Sequence, residues 1–442
     1  MAPRDPEERV HDPAERLEPG ALRRLQDQRL RQAVARAAAV PFYAAALARR
    51  GLDPAGFGGL DDLDRLPLTT KQDLRDHYPL GFLAVPRSAL ARIHGSSGTT
   101  GRPTFVAYTA RDLDTWAGLV ARVLVAGGLR PEHLVHVAFG YGLFTGGFGL
   151  HQGIERVGAA VIPAAGGNTP RQVMLLEDLR PEALVCTPSY ALHVAEVARG
   201  LGKDPAGLGL RFGHFGGEPW TEEMRGELER QLGIQAFNNY GLSEVIGPGV
   251  AGECRARGGM HVAEDHFLLE VLDPVTLRPV PDGRPGELVF TTLTREAMPV
   301  LRYRTRDIAA VERGPCPCGR TGARLGRIVG RSDDMLVIRG VNVYPSQVEE
   351  ALLRVEGTAP HYLIEVARPG TLDEAVVKVE IRAEDLSDEM RRMVSLRDRI
   401  DHEIHAVTGI RMAVELVAPG TLERSQGKAR RVLDHRRGPA PG

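Results

Sequence analysis

The chain has 442 residues, of which 43% are hydrophobic and 26% charged, the proportions of a globular protein with a sizeable core and more than one domain. Its 56 basic and 57 acidic side chains leave a net charge of −1, which excludes a bulk electrostatic footprint for nucleic acid or an anionic membrane. No apolar run approaches about 18 residues, which excludes a transmembrane helix. The charged start MAPRDPEERVHDPAER has no signal-peptide apolar stretch, so a cytoplasmic location is expected.

Residues 1–20 are polar with several prolines and read as a loose arm. From Ala21 to about Arg50, Leu22, Leu25, Leu30 and Val34 recur at helical spacing until Pro41 interrupts. Lys71 lies in LTTKQDLR, after a proline, and starts a helix with no catalytic role assigned. From about Arg92 to Asn239, β-rich runs (134–140, 159–164, 183–187) alternate with helical ones, with Thr109 and Thr169 as helix openers. Such alternation implies a parallel sheet covered by helices. After Gly241 the glycine and proline density predicts a smaller, mostly antiparallel β portion. YPSQVEEALLRVEG then gives Ser346 and Glu349 the spacing of a capping box. It opens a self-contained α+β unit of about 110 residues.

Five segments carry chemistry. HGSSGTTGRPT (94–104) is rich in glycines and hydroxyls before a strand. Glycine lets backbone N–H groups approach a phosphate, and hydroxyls and Arg102 add donors. It lacks a Walker A ending, and the alternative is a flexible surface loop. FNNYGLSEV (237–245) ends the strand–helix series. There Tyr240 offers a stacking face and Glu244 a hard oxygen for Mg²⁺, or else a glutamate at a helix N-terminus. RYRTRD (302–307) and GRSDD (330–334) offer Asp307 for ribose hydroxyls and Arg331 beside it, or else two solvated charge clusters. LERSQGKARR (422–431) places Lys428 after a glycine. Only Lys71, Lys203, Lys378 and Lys428 are lysines, so each is informative, since a lysine is a compact point charge and an arginine is not. Cys254, His261, Cys316 and Cys318 form a three-thiolate, one-imidazole set suited to structural Zn²⁺, or else are free thiols beside a surface histidine. Cys186, in an apolar run, reads as core.

In this order the segments resemble the adenylate-forming enzymes: acyl- and aryl-CoA ligases, carrier-protein adenylation domains and luciferases. GYGLFTGG (140–147), TPSYAL (187–192), GEPWT (217–221), YGLSEVIGPGVAGEC (240–254), EDHF (264–267), LRYRTRD (301–307), CPCGRTG (316–322) and GRSDDMLVIRGVNVYP (330–345) resemble the phenylacetate–coenzyme A ligase family, over about residues 20–435.

The resemblance implies an α/β adenylate-forming fold. Its large N-terminal domain of mixed sheets and helices would span 1–332, and a small mobile α+β domain 333–442, hinged at Asp333. It implies ATP phosphates on Ser96, Ser97, Gly98, Thr99, Thr100 and Gly101. The nucleotide would lie against Gly216, Gly217, Glu218, Asn239, Tyr240, Gly241 and Ser243, with Asp307 at the ribose and Arg331 at the ribose or a phosphate. Glu244 would hold Mg²⁺, and Lys428 would align the acid carboxylate at the α-phosphate. Phe139, Tyr141, Phe144, Gly216 and Pro248 would border the acid. Phe139 and Gly217 depart from the family's usual Tyr and Ala, and Asn238–Asn239 from Asp-Ile. The implied reaction joins an aryl acid, phenylacetate first, to coenzyme A through an acyl-adenylate, in a homodimer. The alternative is adenylation of a hydroxy- or aminobenzoate-type acid for a carrier protein or other acceptor. A nucleotide-binding protein without catalysis would not need Lys428.

Overall fold

The computed structural model describes residues 10–96, 103–339, 341–368, 373–382, 385, 390–423 and 431–436. Helices α1 (Pro19–Ala37), α2 (Pro41–Arg49) and α3 (Lys71–Asp76) come first. Pro41 does not merely interrupt: it occupies the first turn of α2, where its missing N–H costs nothing. Residues 10–20 are not loose, contrary to the expectation. Asp12 caps a short 3₁₀ turn (Pro13–Arg16) and its carboxylate meets Arg122. Glu15 pairs with the buried Arg320, and Thr321 Oγ1 donates to Leu17 O at 2.6 Å. The charges of Asp12 and Glu15 are thus spent on fixed partners, which composition could not disclose.

A hairpin of β1 (Leu90–Ser96) and β2 (Thr104–Thr109) sets Ser96 opposite Thr104. Then come α4 (Ala110–Ala126), β3 (Leu134–Val137), α5 (Thr145–Val157), β4 (Ala160–Ile162), α6 (Thr169–Leu179), β5 (Ala183–Cys186), α7 (Pro188–Gly200), β6 (Phe212–Gly216), α8 (Glu222–Leu232) and β7 (Gln235–Leu242). Thr109 caps α4 in a reciprocal capping box with Asp112. The cap residue of α6 is Asn168, with Thr169 the first helical residue. The parallel series β4-β3-β5-β6-β7 continues antiparallel through β8 (Gly247–Glu253), β9 (Met260–Val262), β14 (Arg324–Leu325) and β13 (Val311–Glu312) into one nine-stranded sheet. Cys186 is fully buried on β5. His214 on β6 is buried against Phe237, ring centroids 5.6 Å apart, with neither ring nitrogen hydrogen-bonded among the described residues.

The antiparallel portion expected after Gly241 also includes a four-stranded sheet, β10 (Phe267–Leu272), β11 (Gly286–Thr292), β12 (Tyr303–Ala309) and β15 (Gly330–Arg331). A hairpin, β16 (Leu336–Ile338) and β17 (Val341–Val343), opens the smaller C-terminal domain. There α9 (Pro345–Leu353) and α10 (Met390–Thr408) pack on a sheet of order β20 (Ala413–Val417), β19 (Glu374–Ile381), β18 (Thr358–Ala367), β21 (Val432–Asp434). This domain has its own core, including Val348, Leu352, Ile364, Val377 and Ile400. The capping box expected of Ser346 and Glu349 does not form. Pro345 takes the first helical position, Tyr344 becomes the cap residue, and Tyr344 N donates to Gln347 Oε1 at 2.9 Å. Ser346 Oγ instead donates to Val329 O, and Glu349 is buried. No helix among the described residues is long and apolar enough to cross a membrane.

Candidate active site

The carboxyl ends of the paired strands β6 and β7 form one wall of the site, and Tyr240 of β7 links it to Asp307 of β12. Gly216 ends β6, where a Cβ would come within 2.4 Å of Asn239 O. Gly217 turns away with φ +84°, a conformation that favours glycine. On β7 the Asn239 side chain is buried, with its amide nitrogen unpartnered among the described residues. A buried donor without an acceptor is costly unless a ligand supplies one. Tyr240 stacks on Phe290 and its hydroxyl donates to Asp307 Oδ2 at 2.6 Å. Burial first, then the adjacent Asp307 charge, drives that hydroxyl far above its ordinary range. A bulge follows at Gly241, where a Cβ would meet Gly247 O at 2.1 Å.

Asp307 sits on β12 opposite Arg331 of β15. The residue before it, Arg306, has φ +70°, the kind of local strain that clusters at functional sites. Arg331 Nη1 donates to Asp307 Oδ1 at 3.1 Å. The same guanidinium grips Asp333 with two bonds of 2.9 Å. Asp307 and Asp333, expected in separate roles, are therefore joined through one arginine.

Glu244 is not at a helix N-terminus. It lies in the turn between β7 and β8 and its side chain is 6% exposed. Lys71 Nζ, from the first turn of α3, lies 3.1 Å from its Oε1. Burial alone would raise this carboxyl, but the charge of Lys71 outweighs it and holds the group below its ordinary range. Thr70 caps α3 through Asp73, which fixes where Lys71 leaves the helix. The side chain of Ser96 also faces Glu244, and Ser243 is held 2.9 Å from Thr145, at the start of α5.

Phe139 lies near Gly217: a Cβ there would be 3.7 Å from Phe139 Cε1. Tyr141 directs its hydroxyl to His151 Nδ1 at 3.0 Å. Pro248 packs against Trp116, whose indole N–H donates to its carbonyl at 2.8 Å. Phe144 is 53% exposed. The loop that bears these aromatics is tied to β1, because Gly95 N donates to Leu143 O at 2.7 Å. Ser97, Gly98, Thr99, Thr100, Gly101 and Lys428 lie outside the described residues.

A family model described as AMP-binding enzyme matches residues 62–294, and one described as AMP-binding enzyme C-terminal domain matches 340–436. The chain is 53% identical to the phenylacetate-coenzyme A ligase of Thermus thermophilus, over 94% of this chain and 97% of that one. The chain belongs to the phenylacetate–coenzyme A ligase family. It is 49% identical to the phenylacetate-coenzyme A ligase of Escherichia coli, over 96% and 97% of the two chains. As a ligase of this family it is an AMP-forming CoA ligase. Its fold matches the crystal structure of 2-hydroxyisobutyryl-CoA ligase in the postadenylation state with R3-HIB-AMP at TM-score 0.90 and 32% identity, over 96% of this chain and 91% of that one. The same relative in the thioesterification state, with 2-HIB-AMP and CoA, matches at 0.71 and 33% identity over 96% and 92%. The arrangement of the ligase is thus nearer the former.

The ligase also brings its four sequence-predicted sulfur and imidazole ligands together. Cys254 follows β8, His261 is on β9, and Cys316 and Cys318 lie between β13 and β14. Their ligand atoms all lie within 4.8 Å of one another. Cys254 and Cys316 Sγ are 3.7 Å apart, and Cys318 Sγ is 3.4 Å from His261 Nε2. Zn–S bonds of about 2.3 Å in a tetrahedron give S···S edges of about 3.8 Å, so the spacing fits that ion and is far too long for a disulfide. Sequence reasoning missed Lys71. Its rarity as a lysine was the available signal.

Proposed function

We propose that the enzyme activates phenylacetate, or a close arylacetate, with ATP and transfers it to coenzyme A. Identity near 50% to phenylacetate-coenzyme A ligases along almost the full chain carries this reading. The Tyr240–Asp307–Arg331 set, with Tyr240 and Asp307 buried, supports it from the geometry. In the reading, Asp307 accepts from the ribose hydroxyls, and Asn239 gives its spare amide donor to the base in the slot formed with Gly216, Gly217, Glu218, Tyr240, Gly241 and Ser243. Ser96 to Gly101 hold the phosphates. The acid carboxylate attacks the α-phosphorus and pyrophosphate leaves. The CoA sulfur then attacks the acyl carbon, its proton passes to solvent, and AMP leaves. Lys428 orients the carboxylate and offsets charge in the first step. No protein nucleophile is needed.

Glu244 is a fitting oxygen donor for Mg²⁺. The ion would supply charge neutralisation at the phosphates, and Lys71 would share that task from the other side of Glu244. The Cys254, His261, Cys316 and Cys318 set would hold a structural Zn²⁺ with no open position for chemistry. Zinc quantification of the purified enzyme should give one equivalent per chain, and Cys318→Ser should lose it. We further place the domain boundary at 332/333, with Asp333 as hinge, and expect a homodimer by light scattering. Phe139, Tyr141, Phe144, Gly216 and Pro248 border the acid in this reading. Phe139 and the methyl group of Thr187 beside a side-chain-free Gly217 give that wall an apolar face, which suits an unsubstituted ring.

The test is pyrophosphate release with ATP and Mg²⁺ across a panel of aryl acids, with and without CoA. Release with phenylacetate coupled to thioester formation is the expected result. Release with hydroxy- or aminobenzoates and no CoA product would overturn the substrate and acceptor and keep the adenylation.

A further inference from the structure

The small domain meets the large one at a buried charge cluster that joins the end of the LERSQGKARR segment to Glu218 of the GEPWT turn. Its centre is Arg431, at the foot of β21. Ile364 N donates to Arg431 O at 2.9 Å, which fixes the backbone there. The guanidinium lies over the Tyr362 ring, 4.4 Å from its centroid, and Nη2 lies 3.4 Å from Glu349 Oε2. These side chains are 16% and 6% exposed. The second oxygen of Glu349 is buried with no hydrogen-bond partner among the described residues. Glu218, on the turn after β6 of the large domain, faces the same cluster, and its charge acts on Arg431, Glu349 and Tyr362. Its own Oε1 accepts from Ser189 N at 2.8 Å, so the carboxylate is anchored to the large domain.

One guanidinium therefore faces two acids from two domains. Taking such charges out of water is costly, and the cost is offset only while both partners are in place. Burial pushes the Glu349 carboxyl up to about 7, with Arg431 pulling it down and Glu218 pushing it up. Separated from Glu218, the cluster loses that strain and one attraction together, so it is suited to reversible docking. The other ion pairs across the seam are partly exposed: Arg327 to Glu350 at 3.2 Å, Arg354 to Glu223 at 3.6 Å and Arg382 to Glu227 at 3.7 Å.

Arg431 follows Lys428 by three residues, a reach of about 10–11 Å. We propose that Arg431 is a positioning residue of the adenylation step: by bridging Glu349 to Glu218 it docks the small domain on the large one in the arrangement that step needs, and it is released when the small domain turns away for thioester formation. This rests on the reading that Lys428 serves the first step.

The experiment compares Arg431→Ala, Arg431→Lys and Glu349→Gln with the wild-type enzyme in each half-reaction separately. Arg431→Ala should lower the kcat of pyrophosphate release about 30- to 100-fold with KM for ATP changed less than about threefold. Transfer from isolated acyl-adenylate to CoA should stay within about twofold. Arg431→Lys should recover part of the loss, and Glu349→Gln should show a smaller loss in the first half-reaction only. Equal losses in both half-reactions, or none in the first, would overturn the proposal. Hydrogen exchange along α8 and α9 is a readout that needs no acid: it should quicken in Arg431→Ala while the cores stay protected. If the wild type releases no pyrophosphate with any acid, the substrate reading fails. The exchange then decides alone, and an unchanged seam overturns the docking role.

Discussion

The large domain's wall of the site and the seam to the small domain use the same kinds of charge in opposite ways. In the wall, Asp307 is held from both sides by Tyr240 and Arg331, and Glu244 is paired with Lys71. These groups hang from strand ends and turns that the packed sheet cannot let move, so they are placed before any ligand arrives. Across the seam, outside the Arg431 cluster, the pairs join side chains of separately cored domains and are partly exposed. Preorganised charge favours catalysis, whereas exposed ion pairs are worth little each and can be exchanged for water. In the proposed reading, recognition falls to the fixed wall and alternation to the seam.

Four changes would break or sharpen that contrast. Asp307→Ala should reduce adenylation about 10²- to 10³-fold and raise KM for ATP in steady-state kinetics; retention of activity would remove the ribose role. Lys71→Met should come next. It leaves the Glu244 carboxyl buried without its cation, so its pKa rises. The acidic limb of the kcat/KM profile should move to higher pH, and calorimetry should show a loss of about 1–3 kcal/mol. An unmoved limb would mean the pair is only structural.

The third change tests the rigidity of the wall itself. Burial pushes the His214 imidazole down to about 3, whereas the unfolded chain protonates near 6.5. The unfolded state thus takes up the extra proton, and stability is full above about pH 6.5 and falls as pH drops toward 3. At pH 4.5 the cost is about 2–3 kcal/mol. His214→Phe should flatten denaturation midpoints measured between pH 7 and 4.5, and an unchanged slope would assign the acid sensitivity to other groups. The smallest effect is expected at the rim. Glu223→Gln should change stability by less than about 0.5 kcal/mol and leave pyrophosphate release within twofold; a large loss would show the seam to be as rigid as the wall.

Much of this was legible in the residues. The strand–helix series is written in apolar runs, and the site lies at the carboxyl ends of its strands, as in open α/β sheets. Asp307, Arg331 and the four metal-ligand candidates come from short motifs that the fold brings together. Lys71 was not legible as a partner of Glu244, because a pair between distant segments has no period and no local motif. Ser346 was misread because a proline at the first helical position outcompeted a spacing rule. The arm was misread because Asp12 and Glu15 look solvent-bound until Arg122 and Arg320 are placed beside them.

That arm makes the beginning of the chain a witness to events far along it. Arg16 donates to the carbonyl of Cys318 itself at 3.3 Å, and Glu15 reaches Arg320 two residues on. A Cys-to-Ser change or chelation that loosens the 316–318 turn should free residues 10–17, and trypsin should then nick Arg16 before it cuts elsewhere. Cleavage near the first helix would then report, on a gel and without any spectroscopy, the condition of a loop some three hundred residues away.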